Sequence, residues 1–169
     1  MKLVVSIIMG VCLICGACAS HAQVPFIIGT WKFNVAASKF PGPAPQLEIR
    51  RYRLTGDGVL IGVAVVIDAH GRPDFLQFAA KVGGKDYPEF DTQSAAQYLI
   101  DRTVPPRTYA EIPTSDPRKV HWVDKAAGKI LSSGEKWVSE DGQTMSFTAD
   151  AKDGQGRNVQ YLYVFDRTG

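Results

Sequence analysis

Glu135 and His121 are the residues of this sequence whose types and predicted positions best fit acid–base chemistry. A carboxylate on an otherwise apolar strand face lies near water, pairs with a cation, or acquires a raised pKa that suits proton transfer. His121 approaches Glu135 only in the less favoured pairing of its hairpin. We therefore expect no catalytic residues, and keep this pair for an alternative interpretation as an isomerase, cyclase or hydrolase.

The sequence lacks the residues that a metal site or a phosphate-binding site requires. Beyond residue 22 the histidines are His70 and His121, too few for zinc unless carboxylates complete the site. The sequence has no Gly-x-Ser-x-Gly motif, and residues 153–156 (DGQG) are typical of a turn rather than a phosphate-binding loop. We expect no metal and no cofactor.

The first 22 residues have the pattern of a secretory signal peptide. Lys2 precedes an apolar run over residues 3–14, which is too short to span a bilayer as a helix. Small residues at Ser20 and Ala22 predict cleavage before Gln23. The sequence thus predicts a signal peptide at 1–22, one domain at 23–169, and a periplasmic or secreted product.

All three cysteines, Cys12, Cys15 and Cys18, lie in this N-terminal segment. The processed chain would have no disulfide, thiolate metal site or cysteine nucleophile. A competing interpretation makes Cys18 a lipid anchor, since Gly16-Ala17-Cys18 resembles the end of a lipobox. Cys15 stands where that motif has an aliphatic residue, so signal-peptide cleavage is the favoured interpretation.

Composition limits the remaining classes of protein. The chain has 169 residues, 45% of them hydrophobic, which suits one globular domain. A formal charge of +2 gives no electrostatic reason to expect nucleic-acid binding. The oligomeric state is left open by the sequence.

Apolar and polar residues alternate with a period of two along most of the chain, and Gly-containing turns separate the runs. Many short consecutive hairpins favour an antiparallel up-and-down β-barrel of about 8–10 strands, because closure removes exposed edges. The predicted strands are 29–35, 47–55, 59–67, 75–82, 86–90, 107–112, 119–124, 129–138, 143–150 and 158–166.

Two segments break the alternation. Residues 40–46 (FPGPAPQ) are too rich in proline for a central strand. Residues 92–102 have apolar residues at helical spacing, with Asp91 or Thr92 as the N-cap, and predict one short helix. A strand over 97–103 is the alternative.

The hairpin before β-strand 143–150 assigns two predicted site residues to a face of the sheet. A three-residue loop at 140–142 turns Glu135 and Trp137 to the same inner face as Phe147. The other face of the hairpin is more polar and is expected outside. Candidate cation partners of Glu135 are Lys119, Arg50 and Arg107.

Two further hairpins assign Tyr52 and Trp122. A two-residue turn at 57–58 pairs Tyr52 with Val63 and turns both inward. A four-residue loop at 125–128 places Trp122 inside and His121 outside. A three-residue loop there reverses this assignment.

Gly29-Thr30-Trp31 at the first strand resembles the Gly-x-Trp signature of the lipocalins. The resemblance implies that Trp31 closes one barrel end and that a late basic residue, Arg167, packs on it through a cation–π contact. The chain also resembles a group of uncharacterised secreted bacterial lipocalin-like proteins. The segments that carry this likeness are GTWKFNVAASKFPGPAPQ at 29–46, GGKDYP at 83–88 and SEDGQTMSFT at 139–148.

We therefore expect a barrel that binds a small apolar molecule in its lumen, without catalysis. The alternatives are an enzyme acting in the lumen through Glu135, and a solid-core structural or stress-related envelope protein. The predicted ligand-binding residues are Tyr52, Trp122, Glu135, Trp137, Phe147, Tyr161 and Tyr163.

Overall fold

The computed structural model describes residues 26–40, 42–103, 107–152 and 155–169. The predicted signal peptide, its cleavage site and Cys18 lie outside the described residues. Among the helices of the described ranges, none has the length and apolar character needed to cross a bilayer.

Ten antiparallel strands close into one barrel, in which sequence neighbours pair and β1 also pairs with β10. This confirms the predicted all-β, up-and-down barrel, and every predicted strand is present with small changes at its ends. The elements are β1 (Gly29–Phe33), β2 (Leu47–Leu54), β3 (Leu60–Ile67), β4 (Pro73–Ala80), β5 (Tyr87–Asp91), α1 (Thr92–Ile100), β6 (Arg107–Pro113), β7 (Lys119–Ala126), β8 (Lys129–Val138), β9 (Thr144–Lys152) and β10 (Asn158–Arg167).

Helix α1 begins at a capping box made by Asp91 and Ser94. The Ser94 amide donates to Asp91 Oδ1 at 2.6 Å, and the Asp91 amide donates to Ser94 Oγ at 3.0 Å. Asp91 is therefore the N-cap, and the alternative of a strand over 97–103 is wrong. Leu99 and Ile100 at the end of α1 remain exposed to solvent.

One end of the barrel is closed by Trp31 and Arg167. The fully buried Trp31 donates from Nε1 to the Ile27 carbonyl at 2.8 Å. The Arg167 guanidinium lies 4.2 Å from the Trp31 ring centroid, where the lipocalin resemblance puts a basic residue. Arg167 also donates to the carbonyls of Ile28 (3.1 Å) and Gly142 (2.6 Å), so one side chain ties three segments of this closed end together.

Gly29 makes this closure possible. Its φ is +142°, and a Cβ atom built there would lie 2.4 Å from Arg167 Nη1. Any other residue at this position would strain the backbone and displace the guanidinium from Trp31.

The register of the β8–β9 hairpin differs from the prediction by one residue. Val138 pairs with Met145, and a four-residue loop replaces the expected loop at 140–142. Hydrogen bonds within the turn stabilise the longer loop, since Ser139 Oγ accepts from the Thr144 amide and donates to Asp141. The shift turns every β8 side chain to the face opposite to the predicted one.

The β2–β3 hairpin is also shifted, because its loop has three residues rather than two. The Thr55 amide donates to the Val59 carbonyl, and Tyr52 pairs with Gly62 instead of Val63. Tyr52 still faces inward as predicted, while the inner face of β3 carries small residues such as Gly62 and Ala64 rather than the predicted Val63.

The β7–β8 hairpin has a two-residue turn with a bulge after Asp124, and Trp122 pairs with Gly134. The predicted four-residue loop is therefore wrong. The bulge offsets the inverted face of β8, so Trp122 faces the lumen opposite Gly134 and His121 faces the outside, as the sequence indicates.

Candidate functional site

The lumen contains a cavity of about 410 Å³ between the closed end and the end that carries α1. Its rim includes Asp74 and Phe75, both exposed, so the cavity opens to solvent at the α1 end. The wall combines aromatic rings with ionisable side chains. The ionisable residues inside the rim are Glu48, Arg50, Glu89, Asp91, Arg107, Asp124 and Lys136.

Aromatic residues form one side of the cavity. Phe147 stacks on Tyr163 with centroids 4.8 Å apart, and Trp122 meets Phe147 edge-on at 6.0 Å. Trp122 is held in place by a hydrogen bond of 3.1 Å from Nε1 to the Thr148 carbonyl. These rings offer a flat apolar surface to a bound molecule.

Gly134 permits the bond between Trp122 and β9. A Cβ atom at Gly134 would lie 2.0 Å from the Thr148 carbonyl oxygen, so only glycine allows β8 and β9 to approach this closely. The missing side chain also leaves the Thr148 carbonyl accessible to the indole across β8.

Arg50 extends over the aromatic wall and is already paired. Its Nε donates to Glu48 Oε1 at 2.7 Å, and its guanidinium lies 4.7 Å from the Phe147 centroid. Although burial opposes the change, the Glu48 carboxylate raises the pKa of Arg50 above its ordinary value. Arg50 therefore stays charged and partnered in the lumen.

Lys136 forms a buried polar group at the base of the cavity with Glu111 and Tyr109. Its Nζ donates to Tyr109 Oη at 2.7 Å and to Glu111 Oε1 at 3.0 Å, and Tyr109 donates to the same oxygen at 2.6 Å. Lys136 also lies 5.0 Å from the Tyr52 ring centroid. Burial, followed by the Glu111 charge, raises the pKa of Tyr109 well above its ordinary value, so Tyr109 remains a neutral donor.

Three carboxylates surround the single guanidinium of Arg107 near the rim. Arg107 forms ion pairs with Asp91 and Asp124, and its Nη2 lies 3.7 Å from Glu89 Oε2. Strand pairing brings the cluster together, because Glu89 lies opposite Arg107 across β5 and β6. Below, the acid cluster means Glu89, Asp91 and Asp124.

Glu89 is the least compensated member of the acid cluster. It is 3% exposed, and its Oε2 has no hydrogen-bond partner. Burial, and then the charge of Asp124, raise the pKa of Glu89 to about 8, against the attraction of Arg107. For Asp91, burial acts in the same upward direction, but hydrogen bonds from Ser94 and the Arg107 charge hold its pKa below the ordinary value.

Four predicted ligand-binding residues line the cavity: Tyr52, Trp122, Phe147 and Tyr163. Tyr161 lies beside Tyr163, with ring centroids 6.4 Å apart, but is outside the cavity lining.

The predicted inward placement of Glu135 and Trp137 is wrong, because the β8 register turns both to the outer surface. Glu135 is exposed and pairs with Lys119 at 2.9 Å, one of its predicted cation partners. Lys119 Nζ also lies 5.7 Å from the Trp137 ring centroid. His121 lies opposite Glu135 across β7 and β8, so the acid–base alternative has both its residues outside the lumen.

Apart from Arg107, a candidate partner of Glu135, the ionisable lumen residues of β5 to β8 were not predicted from the sequence, although a signal for them exists. Glu89 lies two residues after Tyr87 on β5, so the two side chains share one face. Arg107 and Glu111 lie two residues on either side of Tyr109 on β6 and share its face. Charged residues that share parity with aromatic ones mark a polar lumen, provided that the hairpin registers are known. Among the described residues no group of His, Cys, Asp and Glu is arranged to hold a metal ion.

Solved structures with a similar barrel include the fluorescent protein UnaG. The chain shares its fold. The wild-type UnaG structure has a TM-score of 0.53 and 14% identity, over 84% of this chain and 97% of the other. An asparagine-to-glutamine variant of UnaG has a TM-score of 0.52 and 14% identity, over 84% of this chain and 96% of the other. No protein-family model matches the sequence, and no curated protein matches it.

Proposed function

We propose that this barrel binds a small molecule in its lumen. The observation that carries the proposal is the cavity of about 410 Å³, which opens to solvent at one end and has aromatic rings on its wall. Cavities of this size enclose most of the surface of a small ligand. The similarity to UnaG supports a barrel fold that is able to enclose a ligand.

The ligand we propose is amphipathic. An apolar body, as the sequence predicts, suits the face made by Trp122, Phe147 and Tyr163. A wholly apolar ligand, however, would exclude water from the partly exposed side chains of Arg50, Asp91 and Arg107 without replacing the lost hydrogen bonds, at a free-energy cost. A ligand with a polar or charged group avoids this cost.

The two alternatives from the sequence fit the structure less well. A solid-core structural protein does not require a cavity of about 410 Å³ lined by ionisable groups. An enzyme that acts through Glu135 requires this carboxylate in the lumen, whereas Glu135 lies on the outer surface beside Lys119. Binding without catalysis by Glu135 is therefore the function we propose.

Filling the cavity tests the proposal. Ala149 is buried and lines the cavity, so Ala149→Trp places an indole in the space for the ligand. With the neutral fluorescent probe N-phenylnaphthylamine, we expect saturable binding to the wild type and a loss of about tenfold or more in affinity for this variant. The matched control is Val65→Trp, which adds the same ring on the outer surface, where Val65 is 47% exposed. Equal binding to both variants would place the probe outside the lumen and refute the proposal.

We also propose that the barrel acts outside the cytoplasm, on the basis of the predicted signal peptide at 1–22. Mass spectrometry of the protein expressed from its full-length gene in a bacterial host tests this proposal. An N-terminus at Gln23 supports export with cleavage, and a lipid-modified Cys18 supports the anchored alternative. A chain that keeps Met1 and stays in the cytoplasm contradicts both.

A further inference from the structure

The acid cluster holds more negative charge than its cation neutralises. Asp91 and Asp124 both pair with Arg107, and Glu89 is the third carboxylate around the same guanidinium. These groups come from β5, β6 and β7 and face one cavity. Strand pairing fixes them there, so the excess charge belongs to the barrel itself and not to a loop.

Glu89 supplies an independent sign that a partner is missing. Glu89 lines the cavity and is 3% exposed, yet its Oε2 atom has no hydrogen-bond partner. A buried carboxylate oxygen without a donor is unfavourable, and barrels that fold stably satisfy or neutralise such a group. A donor that enters through the cavity would remove this cost.

The cations of the lumen are already occupied by other carboxylates. Arg50 pairs with Glu48, and Lys136 pairs with Glu111 at the base of the cavity. Among the described residues of the lumen, three cations therefore face five carboxylates: Glu48, Glu89, Asp91, Glu111 and Asp124. A ligand with a carboxylate would meet a negatively charged lumen, whereas a cationic ligand would reduce its charge.

We propose that the molecule bound in the lumen carries a protonated amine, which is held by Glu89 and the neighbouring Asp124, while its apolar body packs on Trp122, Phe147 and Tyr163. This inference deepens the proposed function and depends on it. An ammonium group supplies the donor that Glu89 Oε2 lacks. The aromatic rings of the wall add favourable contacts with an apolar or aromatic body.

Binding of such a ligand would be coupled to a proton. Four charged groups face Glu89: Asp91 on its own strand, Arg107 on β6, Asp124 on β7 and Arg50 on β2. With its pKa raised to about 8, Glu89 holds a proton at neutral pH in the empty barrel. An ammonium group beside it favours the ionised form, so binding should release a proton and strengthen between about pH 6 and pH 8.

Three probes that share a phenethyl body and differ in the charge of the head group test the proposal in the wild-type protein. Phenethylamine carries a cation, hydrocinnamate an anion and phenethyl alcohol no charge, on nearly the same aromatic body. By isothermal titration calorimetry at about pH 7, we expect phenethylamine to bind about tenfold more tightly than phenethyl alcohol, and hydrocinnamate to bind most weakly. In Tris and in phosphate, the measured enthalpy should differ by the release of up to about one proton per ligand.

Two variants locate the recognition of the cation. Glu89→Gln keeps the shape of the side chain and removes its charge, so we expect the preference for the amine to fall by about tenfold and the proton release to disappear. Glu135→Gln makes the same change on the outer surface and should leave all three affinities unchanged. Melting temperatures of both variants control for folding.

The outcomes separate this inference from the proposed function. If the neutral probe binds and the amine binds no better, or the acid binds best, the amine proposal is overturned and lumenal binding stands. A preference for the amine that survives Glu89→Gln overturns the assignment to the acid cluster. If none of the three probes binds, and N-phenylnaphthylamine does not bind either, both proposals fail.

Discussion

Individual buried carboxylates set the chemistry of this barrel, and their environments differ sharply. Glu48 has a cation within 2.7 Å, whereas Glu89 shares one guanidinium with two stronger competitors. The sequence predicted several aromatic lumen residues, such as Trp122 and Phe147, because aromatic residues at alternating positions favour burial. It did not predict that Glu89 and Asp124 lie in the lumen, since a charged residue carries no signal for burial until its partners across the barrel are known.

Glu89→Gln should stabilise the protein at alkaline pH and have little effect under acidic conditions. The folded pKa of Glu89 is about 8 against an ordinary value of 4.5, so the folded state keeps a proton that the unfolded chain loses. The stability that this proton contributes is complete below about pH 4.5 and is lost as the pH rises through about 8. Urea unfolding near pH 9 should show a gain of about 4–5 kcal/mol for the variant, and near pH 4 almost none. An equal gain at both pH values would show that Glu89 is already ionised at the lower one.

Lys136→Met should destabilise the protein strongly, because it leaves Glu111 buried without its cation. Glu111 is 1% exposed, and its Oε2 has no hydrogen-bond partner even in the wild type. We expect a loss of about 3–5 kcal/mol in the free energy of unfolding. Glu111→Gln in the same chain removes the uncompensated charge and keeps an acceptor for Tyr109, so the double variant should recover most of the loss. A double variant as unstable as the single one would mean that packing around Lys136, rather than charge, sets the cost.

At the scale of the elements, the strands were predictable and their registers were not. Alternation over 129–138 located β8 correctly, because period-two patterning extends over many residues. The face of β8 depended on one loop, and hydrogen bonds of Ser139 and Asp141 lengthened that loop by one residue. The apolar content of the two faces of β8 also favoured the wrong face, since Trp137 and Leu131 lie outward while Lys136 lies inward.

Gly134→Ala should disrupt the junction between β8 and β9. The new methyl carbon would lie 2.0 Å from the Thr148 carbonyl oxygen, and a backbone atom cannot move aside as a flexible side chain does. The strands must separate, and Trp122 loses its hydrogen bond to Thr148. We expect urea unfolding to show a loss of about 3 kcal/mol, together with weaker binding of the lumen probe.

Gly56→Ala is the matched control for this change. Gly56 lies in the β2–β3 turn, where a Cβ atom would meet nothing within 4 Å. This variant should unfold within about 0.5 kcal/mol of the wild type. Equal effects of the two substitutions would rule out the close approach of β8 and β9 as the reason for glycine at position 134.

Across the whole molecule, packing and charge are concentrated at opposite ends. The most deeply buried apolar side chains, including Trp31, Leu60 and Met145, lie towards the closed end. The acid cluster and the exposed Phe75 lie towards the end with α1. The closed end thus stabilises the barrel, and the opposite end provides a polar opening. The sequence indicated only the closed end, through Gly29-Thr30-Trp31.

Hydrogen exchange should reveal β5 and α1 as the region of the barrel that opens most easily. The ladder of β5 with β4 runs only from the Leu76–Asp91 pair to the Phe78–Glu89 pair, and Pro88 has no amide hydrogen to donate. Elements with short ladders and exposed side chains open locally at a lower free-energy cost than the core does. Mass spectrometry of exchanged peptides should show residues 87–100 exchanging well before residues 144–149 of β9.

The position of Asp91 links this opening to the lumen. Asp91 is the N-cap of α1 and also pairs with Arg107. Local opening of α1 therefore loosens the acid cluster at the same time. A ligand held by that cluster favours the closed arrangement and should slow exchange over 87–100 while leaving 144–149 unchanged. Uniform protection of both segments by phenethylamine would instead mean that the barrel opens as one unit, and that the ligand stabilises it only against global unfolding.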